Sequence, residues 1–163
     1  MCACCRRHVE RLATIADMER IRLVVVGDGP RRAELQRLLP HAIFVGMLTG
    51  DALATAYATL DVFVHTGPYE TFCQTVQEAM ASGTPIIAPD AGGPRDLVAP
   101  ALAEIIWPEC GRAVADHAES FASGLRELLA VPWPFLRAAA RRCAEQFTWS
   151  AAVDGMLAAL RAS

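Results

Sequence analysis

Residues 61–85 read Asp61-Val-Phe-Val-His-Thr-Gly-Pro-Tyr-Glu70-Thr-Phe-Cys-Gln-Thr-Val-Gln-Glu78-Ala-Met-Ala-Ser-Gly-Thr-Pro85. Two periodicities follow one another in them. Asp61 to His65 is a short β-branched and aromatic run, the pattern of a buried strand. Gly67-Pro68 then makes a turn with little side-chain bulk. Thr71 opens a helix: Thr71-x-x-Gln74 fits a capping box, and Phe72, Val76, Ala79 and Met80 recur at helical spacing. Gly83 ends that helix, and Pro85 to Ala88 is the next strand. Strand, turn, helix and strand in this order predict parallel pairing with a crossover helix.

The same alternation extends outward. Arg6 to Asp17 carries Val9, Leu12, Ile15 and Ala16 on one helical face. Ile21 to Val26 is a strand that stops at Gly27-Asp28-Gly29. Pro30 suits the first position of a helix whose apolar residues are Leu35, Leu38 and Leu39. Ala42 to Val45 is a strand and Asp51 to Leu60 a helix. On the far side, Asp90-Ala-Gly-Gly-Pro94 is a loop and Leu102 to Trp107 a fifth strand. Helices follow over Ala113 to Ala130, Phe135 to Gln146 and Trp149 to Ala162. The predicted fold is α/β, a Rossmann-like doubly wound parallel sheet with a helical C-terminal tail. In such sheets ligands bind beyond the carboxyl ends of the strands, where Gly27, Gly29, Gly46 and Gly67 fall.

The chain has 163 residues, enough for one domain and one core. Its net charge of −3 argues against nucleic acid as a partner. All 15 basic residues are Arg, so no Lys is present to form a Schiff base or a Walker motif. Six Cys match no disulfide framework. Cys4, Cys5 and His8 lack the second ligand pair that a tetrahedral metal site needs, so no metal is expected. No apolar run approaches the roughly 20 residues of a membrane span, and no signal peptide is apparent. The chain is expected to be cytoplasmic.

Gly27-x-Gly29 is not a dinucleotide fingerprint, because Arg32 stands where the third Gly belongs. A tight turn and close approach to a ligand both remain open there. The segment around Glu70 is more specific. A helix start after Gly67-Pro68 offers unpaired N–H groups around Phe72, Cys73 and Gln74, an anion site suited to a diphosphate. Glu70 precedes it, and Glu78 lies two turns inside the expected helix. At the helical rise the two carboxylates would be anchored roughly 10–12 Å apart, each able to accept two hydroxyl hydrogen bonds. Spacing alone does not single them out: Glu119 and Glu127 are also eight residues apart, on an ordinary amphipathic helix.

With this context, Asp61 to Pro85 resembles the E-x7-E element of the family 4 glycosyltransferases, which have the GT-B fold of two Rossmann-like domains. Val25-Val-Gly-Asp-Gly-Pro-Arg31 and Ala88-Pro-Asp-Ala-Gly-Gly-Pro-Arg-Asp-Leu-Val98 fit the same family, and the wording is nearest to actinobacterial GDP-mannose-dependent α-mannosyltransferases. The resemblance implies a retaining, metal-independent and cofactor-free transfer of a hexose, mannose by this wording, from a nucleotide diphosphate sugar to a lipid or glycan. It implies that Glu70 holds donor sugar hydroxyls and stabilises developing charge, as the catalytic residue. Phe72, Cys73 and Gln74 amides would lie near sugar and phosphate, Glu78 on the ribose, and Val45-Gly46-Met47 beside the nucleobase. Arg7 falls in the register of the family's phosphate-binding Lys, whereas the register of its Arg falls on Cys2.

The family pattern further implies that 1–163 is one nucleotide-sugar-binding domain without its N-terminal acceptor domain, and that the domain's first strand is truncated. Such a loss exposes a sheet edge and calls for a partner, for example a separately encoded N-terminal domain. The helix from Trp149 either packs on its own sheet or reaches toward that domain. A lipid acceptor would place the chain at the inner membrane face. The alternatives are a non-catalytic donor-binding subunit, an inactive fragment and, within the same fold, a nucleotide-sugar epimerase.

Overall fold

β4, Ile86–Pro89, is the strand around which the core is organised; all four of its residues are buried. The computed structural model describes residues 9–70, 72–98, 111–115 and 117–161. In chain order these form α1 (Val9–Ala16), β1 (Val24–Val26), α2 (Arg32–Leu38), β2 (Ile43–Gly46), α3 (Gly50–Thr59), β3 (Phe63–Val64) and α4 (Gln74–Ala81). After β4 come α5 (Gly92–Val98), β5 (Gly111–Val114), α6 (Ala118–Leu129), α7 (Trp133–Ala144) and α8 (Trp149–Arg161).

Every strand pairing is parallel. β4 lies between β3 and β5, with Phe63 opposite Ile86 and Ile86 opposite Gly111. Alternate side chains of a strand point to opposite faces. Ile86 and Ala88 accordingly join Tyr57, Val76, Ala79 and Met80 on one face, while Ile87 joins Ile15, Phe121, Leu125 and Leu128 on the other. Both faces of β4 are thus covered by helices, the doubly wound arrangement. Each fully buried Ile contributes about 1.5–3 kcal/mol relative to exposure, so Ile87→Asp would strike both the strand and the α1–α6 layer.

Among the described residues β1 pairs with β2 alone, and β3 with β4 alone. The described strands therefore form two half-sheets.

Four expectations are corrected, the first being the loop expected over residues 90–94, whose Gly92, Gly93 and Pro94 instead open α5. The helix expected from Thr71 starts at Gln74, with Cys73 as N-cap in the left-handed conformation (φ 45°, ψ 49°) and no side-chain cap bond. The N-cap thus falls on Cys73, while Thr71 of the expected capping box lies outside the described residues. The Cys73 thiol donates to the Glu70 carbonyl (3.7 Å), and Gln77 Nε2 donates to the Phe72 carbonyl (2.7 Å). Phe72, expected on the apolar face of α4, is 61% exposed. Ala113 and Val114, expected in a helix, belong to β5. Pairing with β4 satisfies backbone groups that helical propensity would have placed differently. The strand expected at 102–107 lies outside the described residues.

α8 buries none of its side chains, so it does not pack on its own sheet. Trp149, Val153, Met156, Leu157 and Leu160 are exposed along it, at the spacing of one helical stripe. No described helix is long and apolar enough to cross a membrane.

Candidate functional site

The carboxyl ends of β1, β3 and β4 bring the candidate residues into two connected groups. The first is built on β3. The His65 amide donates to Ile87 O at 2.8 Å, which carries the parallel ladder one residue past β3. The His65 ring turns back, Nε2 lying 2.9 Å from the Gly67 carbonyl and 3.9 Å from a Glu70 carboxylate oxygen. The imidazole is almost wholly buried, while the Glu70 side chain is 19% exposed. Burial holds the imidazole below its ordinary value, and the Glu70 carboxylate and the Gly67 carbonyl oppose that shift. His65 is thus the local hydrogen-bonding group that a strand-end histidine is expected to be.

Glu70 is fixed from its main chain as well. The Gly93 amide donates to the Glu70 carbonyl at 2.9 Å. Gly92 makes that contact possible. Its φ is +58°, and a Cβ there would sit 2.2 Å from the Pro68 carbonyl oxygen, so only glycine lets the start of α5 lie on the loop after β3. At the same carboxyl end of β3, a buried Arg11 (4% exposed) donates from its guanidinium to the Thr66 carbonyl and stacks over Phe121 at 5.5 Å.

The second group surrounds Glu78. It is the fifth residue of α4, just over one turn inside rather than two. Tyr57 Oη donates to Glu78 Oε2 at 3.2 Å. One carboxylate lone pair is thereby used, and the rest remain for further donors. Gly27, Met47, His65, Thr66, Thr75 and Glu78 are among the residues lining a cavity of about 780 Å3. α4 links the two groups, since Cys73 and Gln74 start it and Glu78 sits within it.

The remaining candidates occupy the rim. Gly27 closes β1 with φ 118°, and its amide donates to Gly46 O at 2.6 Å. This joins the Gly27-Asp28-Gly29 turn to the Val45-Gly46-Met47 loop. Arg32, standing at the third-Gly position, pairs with Asp28 at 3.1 Å. Its Nη1 would lie 3.6 Å from a Cβ built on Gly46. Val45 and Met47 are exposed. Arg7 lies outside the described residues, as do Cys4, Cys5 and His8.

Sequence reasoning missed three participants. Arg11 and Tyr57 carry no local signal, because their partners are 55 and 21 residues away. Arg32 was weighed only as a missing glycine. Among the described residues, one trio has metal-ligating atoms within 4.8 Å of one another: His65, Glu70 and Cys73. The internal bonds to Gly67 O and Glu70 O already engage the His65 ring and the Cys73 thiol.

Comparison with known proteins identifies the family and the fold. The family described as Glycosyl transferases group 1 matches residues 5–131. The GDP-mannose-dependent alpha-mannosyltransferase of Mycolicibacterium smegmatis is 53% identical over 138 residues, covering 78% of this chain and 37% of that protein. Sucrose-phosphate synthase from Thermosynechococcus elongatus superposes with a TM-score of 0.74 at 30% identity, over 96% of this chain and 42% of the other. Anabaena HepE in complex with UDP superposes with a TM-score of 0.70 at 18% identity, over 95% of this chain and 44% of that one. The chain spans well under half the length of the curated relatives it matches.

Proposed function

The chain belongs to the Glycosyl transferases group 1 family, and from that premise we propose that it is the donor-binding half of a retaining, metal-independent hexosyltransferase that uses GDP-mannose. One observation carries the reading: Glu70 and Glu78 are each held in place at the two ends of one loop-to-helix junction. The Gly93 amide holds the Glu70 main chain, and the Tyr57 hydroxyl holds the Glu78 carboxylate.

Glu70 accepts hydrogen bonds from sugar hydroxyls and stabilises positive charge developing at the donor carbon as the leaving diphosphate departs. The amides of Phe72, Cys73 and Gln74 face the phosphates at the start of α4. Glu78 takes the ribose hydroxyls with the oxygen capacity that Tyr57 leaves free. Val45, Gly46 and Met47 border the nucleobase, Gly27, Gly29 and Gly67 give the backbone room to approach, and Arg7 supplies charge to the diphosphate. The mannose assignment is supported by relatives described as GDP-mannose-dependent.

The acceptor, a lipid or a glycan, and the second half of the cleft come from an N-terminal acceptor domain. A lipid acceptor places the reaction at the cytoplasmic face of the inner membrane. A second reading, a donor-binding subunit that is inactive by itself, is favoured by the exposed apolar stripe of α8.

Titration with GDP-mannose, UDP-glucose and the free nucleotides tests the site. GDP-mannose is expected to bind most tightly, unaffected by EDTA, and at least tenfold more weakly to Glu78→Ala. Absence of nucleotide binding, or unchanged affinity in Glu78→Ala, removes the assignment.

A further inference from the structure

Glu78 is fixed by more than the hydroxyl that touches its carboxylate. Its backbone carbonyl accepts twice from Ser82, from the amide at 3.1 Å and from Oγ at 2.9 Å. Ser82 is the C-cap of α4. Tyr57, the donor to the Glu78 carboxylate, lies in the last turn of α3. Its own carbonyl accepts from the buried Thr84 Oγ1 at 2.6 Å, just past the end of α4. Each member of the pair is thus held through the carboxyl end of its helix.

Those two ends meet under one guanidinium. Arg137 Nη2 donates to the Ala58 carbonyl at 2.7 Å and to the Ser82 carbonyl at 3.3 Å. The first carbonyl belongs to the residue after Tyr57, the second to the residue that holds Glu78. Both are among the terminal carbonyls that a helix leaves without an internal partner, and the dipoles of both helices favour a cation there. Arg137 is itself held by α7. The Trp133 ring lies 5.5 Å from its guanidinium carbon, and Leu136, Ala139 and Ala140 are buried beside it. One turn further on, Arg141 donates to the Ala81 carbonyl. A guanidinium presents its donors in a planar, rigid fork. Two carbonyls held by one of its nitrogens are therefore held at one separation. The separation matters, because the Tyr57–Glu78 bond is 3.2 Å long. A hydroxyl-to-oxygen bond is ordinarily about 2.5–3.0 Å, so a slight parting of α3 and α4 breaks this one.

We propose that Arg137 is a positioning residue for the donor's ribose: by clamping the carboxyl ends of α3 and α4 it sets the distance between Tyr57 and Glu78. Arg137 is not among the residues lining the cavity, so it acts through that pair and not on the nucleotide. The proposal rests on Glu78 being the carboxylate that takes the ribose hydroxyls. With the clamp in place, Tyr57 occupies one Glu78 lone pair and turns the others toward the sugar. Without it, the carboxylate is free to rotate, and the site loses its discrimination between ribose and a sugar that lacks a hydroxyl.

The test is calorimetric titration of the 163-residue chain with GDP and with 2′-deoxy-GDP, well below Tm. The unaltered chain is expected to prefer GDP by about tenfold or more. Arg137→Met keeps the stem over Trp133 but removes the donors, and is expected to cut that preference roughly threefold or more. Arg137→Lys, which keeps the charge without the fork, is expected to lie between the two. Leu128→Val trims a buried side chain in the layer on the opposite face of β4. It controls for lost stability and is expected to keep the full preference. In a Glu78→Ala chain, adding Arg137→Met is expected to leave GDP affinity where it was. A full preference in Arg137→Met with a lowered Tm would make Arg137 a helix cap only and overturns the proposal. So does an equal loss in Leu128→Val, or a further loss of GDP affinity in the Glu78→Ala chain. If Arg137→Met does not fold, Arg137→Lys carries the test, and a full preference in it overturns the proposal. Failure of the underlying ribose assignment looks different. The unaltered chain itself would then bind GDP and 2′-deoxy-GDP alike, and the proposal would fall with that assignment.

Discussion

At the residue scale the site depends on contacts between distant positions, and each can be removed singly. Tyr57→Phe deletes the hydroxyl on Glu78 but keeps the ring, which packs edge-on against Phe63 at 5.7 Å. One hydrogen bond to a charged group is worth about 1.5–3 kcal/mol, and water replaces part of it at this half-buried site. GDP-mannose affinity is therefore expected to fall roughly three- to tenfold, with Tm nearly unchanged, by calorimetric titration and thermal melting. Gly92→Ala forces a Cβ against Pro68 O in a left-handed backbone. It is expected to cost on the order of 2–3 kcal/mol, which in a domain of this size lowers Tm by roughly 5–10 °C. Gly29→Ala, with nothing within 4 Å of the added carbon, should leave Tm in place. His65 sets a pH dependence. Its folded value lies below the ordinary 6.5 because burial outweighs the pull of Glu70. The unfolded chain thus binds the proton more readily, so His65 favours folding above pH 6.5, and that stability is lost as pH falls below it. Denaturation midpoints measured from pH 7 to pH 5 should fall less steeply in His65→Gln. These roles were only partly legible. Glu70 and Glu78 could be read from their context within one stretch, whereas Tyr57, Arg11 and Gly92 act across distances in sequence that no local pattern records.

At the element scale, periodicity revealed what packs against the sheet more reliably than where each element begins. Ile86-Ile87 and Val24-Val25-Val26 are short apolar runs whose strand character follows from composition, and both pair as parallel strands. Ala113-Val114 shows the limit. These residues suit a helix by their neighbours, but the open edge of β4 takes them as a strand. The start of α4 shows another limit, because a left-handed Cys73 opens it and the preceding Glu70 is tied to Gly93 of α5. α8 is the converse case. Its apolar spacing is that of a packed helix, yet none of its residues is buried. Deleting residues 149–163 is expected to shift Tm by less than about 2 °C, since surface changes away from the core usually stay within ±0.5 kcal/mol. Thermal melting of the shortened chain checks this, and a large loss would mean that α8 packs in solution.

At the scale of the whole molecule, two half-sheets share one set of covering helices, and the candidate donor site lies where their carboxyl ends meet. The order of elements predicted the parallel, doubly wound architecture, and the family match to residues 5–131 agrees with it. Which strands pair was not legible, because pairing partners are a property of the assembled sheet rather than of any segment. α8 has one more consequence. Trp149 is 82% exposed, so its indole should emit at the red end of the tryptophan range. Trp133 is half-buried on α7 beneath the Arg137 guanidinium at 5.5 Å. Any body that settles on the α8 stripe would dehydrate the first indole and leave the second alone. The chain thus carries its own optical gauge of assembly, readable as a blue shift without any attached dye.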